Sequence, residues 1–210
     1  MTTHSDALGE RQHAVARRLG PAVQARGFYL AGGTAVALQI GHRRSVDLDF
    51  FAETLPETPQ QLAGALRREI GVFDTESVAP GTLHGRVQSV RVSVLEYRYS
   101  LLRSPMTWAE ANCSVAALDD LAAMKLAAVA QRGAKKDFFD LYALTRAHRP
   151  LAELLPLYRE KYDTADLAHL LYALTYFDDA DPQPTPTLLW DVTWPEVKTA
   201  VRTAVREVAG

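Results

Sequence analysis

Cysteine is nearly absent: the 210-residue chain has one, Cys113. A lone thiol excludes an internal disulfide and a zinc site built on several cysteines, and it predicts a reducing, cytoplasmic setting. An excess of charge of either sign is missing as well. Lys and Arg number 23 against 25 Asp and Glu, a formal net charge of -2, so no global positive field draws the chain to nucleic acid or to an anionic membrane. Any basic surface must be local. Long apolar runs are absent too: nothing approaches the roughly 18 residues of a membrane span, and the opening MTTHSDALGERQHAVARRLG lacks the apolar centre of a signal peptide. Neither export nor membrane insertion is expected. No internal repeat or low-complexity tract marks the chain as an array. What remains, at 48% hydrophobic and 23% charged residues, can bury one well-packed core or two small ones and can support an enzyme.

The periodicity changes once along the chain. Residues 6 to 26 read as an amphipathic helix that Gly20-Pro21 kinks or splits. FYLAGG reads as a short buried strand, TAVALQI as the first turns of a helix starting at Thr34, and SVDLDFF as a second strand. TPQQLAGALRREI is a helix with Thr58 as cap and Pro59 at its first position. FDTESVAPGTLHGRVQSVRVSVLEYRYSLL alternates like antiparallel strands around the APG turn, and the sheet is expected to end near Leu102. From Leu118 the pattern is helical, in five segments broken only by the proline-rich DDADPQPTPT. The predicted fold class is α+β: a small mixed or antiparallel sheet with flanking helices over residues 1 to 104, then a C-terminal helical bundle over 105 to 210 packed on it, with a soft boundary near Ser104-Pro105. The aromatic residues of that bundle, Tyr158, Tyr162, Tyr172, Tyr176, Trp190 and Trp194, are expected to pack its core and to wall one side of a cleft.

The chemistry concentrates in YLAGGTAVALQIGHRRSVDLDFFAE. Asp47 and Asp49, two apart on a strand, project from one face, where their repulsion calls for a cation between them. Magnesium binds a few carboxylates and completes its shell with water and phosphate oxygens, so an Asp-x-Asp pair suits a metal-phosphate site. The glycines after the preceding strand let a polyphosphate approach the backbone, and a helix starting there would cradle it with its free N–H groups and the threonine hydroxyl. Each part alone has a plainer reading, a tight turn for AGGT and a solvated edge for DLD. Together, in order and on their expected elements, they point to a metal-nucleotide site. Further on, Lys125, Val129, Arg132 and Lys136 recur at helical spacing and would form a basic stripe unless Gly133 starts a new helix. The plainer alternative makes Lys136 and Asp140 an ordinary i, i+4 pair.

These residues resemble the nucleotidyltransferase fold of the polymerase-beta type. More narrowly, GGTAVALQIGHRRSVDLDFF together with LAAMKLAAVAQRGAKKDFFDLYAL is similar to the AbiEii/AbiGii family of nucleotidyltransferase-like toxins of toxin-antitoxin and phage-abortive systems. The resemblance implies that Gly32, Gly33 and Thr34 bind nucleotide phosphate, with Arg43 and Ser45 in the same set, and that Asp47 and Asp49 bind magnesium (or manganese). It implies a nucleotide contact for Lys125, a phosphate contact for Arg132 and Lys136, and for Asp137 a part in orienting Lys136 or activating the attacking hydroxyl. The substrate would be a nucleoside triphosphate, the acceptor an RNA such as a transfer RNA, and a partner the cognate antitoxin. His42-Arg43-Arg44, Arg67-Arg68 and Lys135-Lys136 are the local clusters expected to meet an RNA backbone.

One departure from that fold matters. A third carboxylate is expected on a later strand, and VQSVRVSVLEYRY offers Ser93 there; Glu96 is a possible third ligand only if a bulge turns it round, since alternation puts it on the opposite face. A nucleotide-binding module without transfer activity, and a transferase acting on a small aminoglycoside-like molecule, are the alternative readings.

Overall fold

The computed structural model describes residues 3–210. A 3-10 turn (Ser5–Ala7) leads into α1 (Glu10–Gln24), followed by β1 (Tyr29–Ala31), α2 (Gly32–Ile40), β2 (Leu48–Ala52), α3 (Pro59–Ile70), β3 (Asp74–Ala79), β4 (Thr82–Val87) and β5 (Val90–Glu96). Then come β6 (Met106–Trp108), β7 (Cys113–Val115), α4 (Leu118–Arg132), α5 (Lys135–Ala147), α6 (Leu151–Tyr162), α7 (Ala168–Thr175) and α8 (Trp194–Ala209).

The strands form one mixed sheet of seven in the order β3-β4-β5-β2-β1-β7-β6. It does not end near Leu102: β7 pairs parallel to β1 and carries β6 beyond it. These strands have three residues each, too few to display an alternation, and their partner lies far back in the chain. α1 also runs through Pro21 as one helix rather than splitting, and α2 begins at Gly32, two residues before Thr34. β4 and β5 meet at Gln88-Ser89, both at positive φ (48° and 70°), a two-residue hairpin turn built without the glycine or asparagine that normally announces one.

Local chemistry explains the better-marked elements. Thr58 and Gln61 close a reciprocal capping box at the start of α3, with Pro59 first in the helix. Thr193 and Glu196 do the same for α8, whose Val197, Val201 and Val205 are buried four residues apart. α4 stops at Gly133 in the left-handed region and α5 starts afresh at Lys135, so no single basic stripe runs through.

α1 and α3 pack on one face of the sheet, against Leu48, Phe50, Val92 and Val94, all fully buried. The alternate residues of β2 and β5 therefore face the other way, where α2, α4 and α5 pack together. The cleft lies on that side.

Candidate functional site

The cleft has a volume of about 670 Å³ and gathers residues from α2, β2, β4, β5, α4 and the proline-rich segment before α8. Its floor holds Asp47 and Asp49, both half-buried. Parity places Asp49: Leu48 and Phe50 are fully buried beneath the helices, so the residue between them turns to the open face. Asp47 lies one residue before β2, and Val46, which the alternation would bury, is exposed at the cleft. The hydrogen bond that reaches this pair from the side chains around it falls on the Asp47 backbone carbonyl, from the Thr34 hydroxyl. Among the described residues no ion pair engages either carboxylate.

Gly32 sits at φ +68°, and a Cβ added there would lie 3.2 Å from Asp49 Oδ2. Gly33 is a glycine for another reason: its Cβ would lie 2.2 Å from Arg43 Nη2 and 3.2 Å from Asp140 Oδ2. The pair brings the start of α2 against the acid floor. Ala31, at the N-cap, offers no side-chain cap, so the first N–H groups of α2 are open to an anion. Thr34 is buried; its hydroxyl is bonded to Ser45 Oγ at 2.7 Å and donates to the Asp47 carbonyl. It ties the aspartate-bearing segment to α2, while Ser45 completes the tie.

Behind the floor is a buried network of charge. Arg43 donates two hydrogen bonds to Asp140 (Nε–Oδ1 2.6 Å, Nη2–Oδ2 3.0 Å), and His42 Nε2 approaches Asp140 Oδ1 at 2.7 Å. Lys125 Nζ stands 2.6 Å from Asp140 and 2.7 Å from Asp137, and Arg132 donates to Asp137 at 2.8 and 3.1 Å. Asp137 and Asp140 have no exposed side-chain surface. Burial pushes the Asp140 carboxyl up, but Lys125 and Arg43 outweigh it and hold it well below the usual range; Asp137 is lowered too, burial being overcome by Lys125 and Arg132. Burial pulls Lys125 down, and Asp140 with Asp137 raises it beyond its ordinary value. For His42 burial wins and its pKa is lowered; as a neutral ring it donates through Nε2, and its buried Nδ1 has no partner among the described residues.

Several sequence expectations change here. Asp140 pairs with Arg43, His42 and Lys125, not with Lys136. Asp137 lies outside the cleft lining, and its oxygens are taken by Lys125 and Arg132, with no contact to Lys136 among the described residues. Lys125 lines the cleft with an ammonium already held by two carboxylates. Arg132 and Lys136 stand exposed at the rim.

The supposed backbone-binding clusters are partly structural. His42 and Arg43 are buried, Lys135 is buried with Nζ donating to Asp181 and Gln183 carbonyls, and Arg67 donates to the Phe73 carbonyl. Arg44 remains at the rim, its backbone N–H bonded to the Thr187 carbonyl at 2.8 Å.

Ser93 does stand beside Asp49 in the parallel register of β2 and β5. Glu96 does not turn toward it: no bulge intervenes, it is opposite Ala52, it faces away from the cleft, and its carboxylate takes Arg98 at 2.6 Å. Trp194 packs on Phe138, Phe139 and Phe177, Trp190 on His42, and Tyr162 on Tyr99 and Tyr158. Tyr172 and Tyr176 depart from the expected core, stacked on each other at the surface.

Sequence reasoning missed His84, half-buried in the cleft with Nδ1 3.2 Å from Ser93 Oγ, because the strand pairing that brings them together is not written in either segment alone. Among the described residues no group of three His, Cys, Asp or Glu side chains could hold a metal. Two unengaged carboxylates beside an uncapped helix start nevertheless suit a hard cation that keeps its waters and shares phosphate oxygens.

The fold recurs in solved structures of low sequence identity. MenT4, a nucleotidyltransferase toxin from Mycobacterium tuberculosis H37Rv, superposes with a TM-score of 0.61 at 19% identity, over 95% of this chain and 82% of that one. JHP933 from Helicobacter pylori gives 0.53 at 14%, over 99% and 95%. An uncharacterised protein of Aquifex aeolicus (strain VF5) is 37% identical over 184 residues, 86% of this chain and 87% of its own length. The family described as "Nucleotidyl transferase AbiEii toxin, Type IV TA system" matches residues 14–207, and the chain belongs to that family of toxin-type nucleotidyltransferases.

Proposed function

We propose that this cleft transfers a nucleotide from a nucleoside triphosphate, with magnesium or manganese, to a hydroxyl of an RNA, the acceptor end of transfer RNA among the candidates. The observation that carries the reading is the pair Asp47 and Asp49, unengaged and facing the uncapped start of α2 in one cleft. Bound there, the divalent ion supplies charge neutralisation on the triphosphate and makes the acceptor hydroxyl more acidic. The chain's own groups do the rest. Gly32 and Gly33 open backbone N–H groups to phosphate, while Arg132 and Lys136 meet it from the rim. Lys125 and Arg43, locked by Asp137 and Asp140, give the back of the acid pair fixed, pre-oriented dipoles at no cost of reorganisation. Arg44, Arg91, Arg132 and Lys136 give a protein of no net positive charge a local basic rim for a polynucleotide backbone. The family's toxin-antitoxin description supports a cognate antitoxin as partner.

The test is incubation with each labelled triphosphate, magnesium and total RNA. Label entering RNA with wild type but not with Asp47→Ala or Asp49→Ala is expected. Magnesium-dependent triphosphate binding with no transfer to any acceptor would instead support a binding module, the reading favoured by a serine rather than a carboxylate opposite Asp49.

A further inference from the structure

We propose that His84 accepts the proton of the attacking hydroxyl, in the place where a third carboxylate would act, and that Ser93 orients its ring; the inference rests on the transfer reading above. Four strand registers carry it. Ala31 is opposite Asp49, Asp49 opposite Ser93, Ser93 opposite His84, and His84 opposite Ser77. Directly opposed residues share a sheet face, and Asp49, Ser93, His84 and Ser77 all line the cleft. A polar row thus runs from the acid pair across three further strands, with His84 two strands from Asp49.

The other proton acceptors of the cleft are already committed. Its carboxylates are Asp47, Asp49 and Glu76. Glu76 is occupied, held by Arg86 and facing Arg91 at 3.8 Å. On the transfer reading, Asp47 and Asp49 would hold the cation. His84 is left. Its Nδ1 lies 3.2 Å from Ser93 Oγ, and no hydrogen bond engages Nε2 among the described residues; in the tautomer that donates from Nδ1 to the hydroxyl, Nε2 carries the free lone pair. A base whose far nitrogen is fixed by a hydroxyl is aimed as a general base needs to be. The step balances: the acceptor oxygen bonds to the α-phosphorus, the bond from that phosphorus to the pyrophosphate oxygen breaks, pyrophosphate leaves with the electron pair, and the hydroxyl proton passes to His84 Nε2.

Steady-state transfer from labelled triphosphate to RNA tests this with wild type, His84→Ala, and His84→Ala combined with Ser93→Asp, each checked for folding by circular dichroism. His84→Ala should lower kcat by roughly 10²- to 10⁴-fold, the usual worth of a positioned base, and leave KM for the triphosphate within about threefold. Because position 93 is opposite Asp49, the added aspartate rebuilds a third carboxylate and should recover at least about tenfold of the lost rate. An unimpaired His84→Ala, or a loss that the aspartate fails to recover, overturns the assignment while the transfer reading stands. No transfer by wild type sinks both together.

Discussion

Asp140→Ala is expected to strip the network behind the cleft of its centre, and the structure says which partner suffers. Lys125 keeps Asp137 at 2.7 Å. Arg43 keeps no carboxylate at all; its remaining hydrogen bond is to the Arg44 carbonyl, and its side chain is only 5% exposed. Breaking a buried ion pair by removing one member typically costs about 3–5 kcal/mol. Arg43 borders the cleft and can swing toward water, so the lower end, about 3 kcal/mol, is expected. For a domain of this size that is a fall in Tm of roughly 6–12 °C. Thermal unfolding followed by circular dichroism measures it. Removing both partners, in Asp140→Ala with Arg43→Met, should recover part of the loss, because no charge is then stranded. A single variant that melts within about 2 °C of wild type, equivalent to under ~1 kcal/mol, would refute the claim that this network is buried and coupled.

Three other outcomes follow from the same geometry. Gly33→Ala puts a methyl 2.2 Å from Arg43 Nη2 and should cost about 1–3 kcal/mol by overpacking, whereas Gly64→Ala, in the middle of α3 with its nearest contact at 3.4 Å, should stabilise by about 0.5–1 kcal/mol; paired urea titrations distinguish them. Thr34→Val deprives Ser45 and the Asp47 carbonyl of their shared hydroxyl; it should cost about 1–3 kcal/mol and slow transfer by loosening the aspartate-bearing segment, read as Tm and kcat on one preparation. Stability should also track pH in a defined way. His42 has a lowered folded-state pKa, so its contribution is present above the unfolded value of about 6.5 and is lost as pH falls through the folded one. Asp137 and Asp140 are lowered likewise and add their loss below about pH 4, while Lys125 is raised and its contribution fades only above about pH 10. Urea midpoints should therefore fall from pH 6.5 to 5, and His42→Gln should flatten that limb; an unchanged slope in the variant would count against a buried neutral ring.

The sequence made the site legible where its determinants are local. Strand alternation turns Asp49 to the cleft, while Asp47, one residue before β2, reaches the same cleft outside the alternation, beside an exposed Val46 that the pattern would have buried. Gly32 and Gly33 follow a buried strand, and Thr58, Pro59 and Gln61 cap α3 within four residues. It was silent where partners are distant. Arg43 and Asp140 are 97 residues apart, so Arg43, Lys125 and Asp137 read as ligand-binding groups when much of their charge is spent on one another. β6 and β7 are short and stapled to β1 by a parallel pairing that no periodicity announces. His84 gained its meaning only from a register across β4, β5 and β2.

The central claim is that Asp47 and Asp49 form the floor on which nucleotide transfer occurs. Its most direct test is pyrophosphate release from triphosphate in the presence of RNA and magnesium, comparing wild type with the isosteric Asp47→Asn and Asp49→Asn, whose side chains replace carboxylates that make no ion pair among the described residues. Both variants should fold with an unchanged Tm and lose release by more than about a hundredfold, as expected when a charge-stabilising group is removed from a transfer site. Release at the wild-type rate by either folded variant would contradict the account.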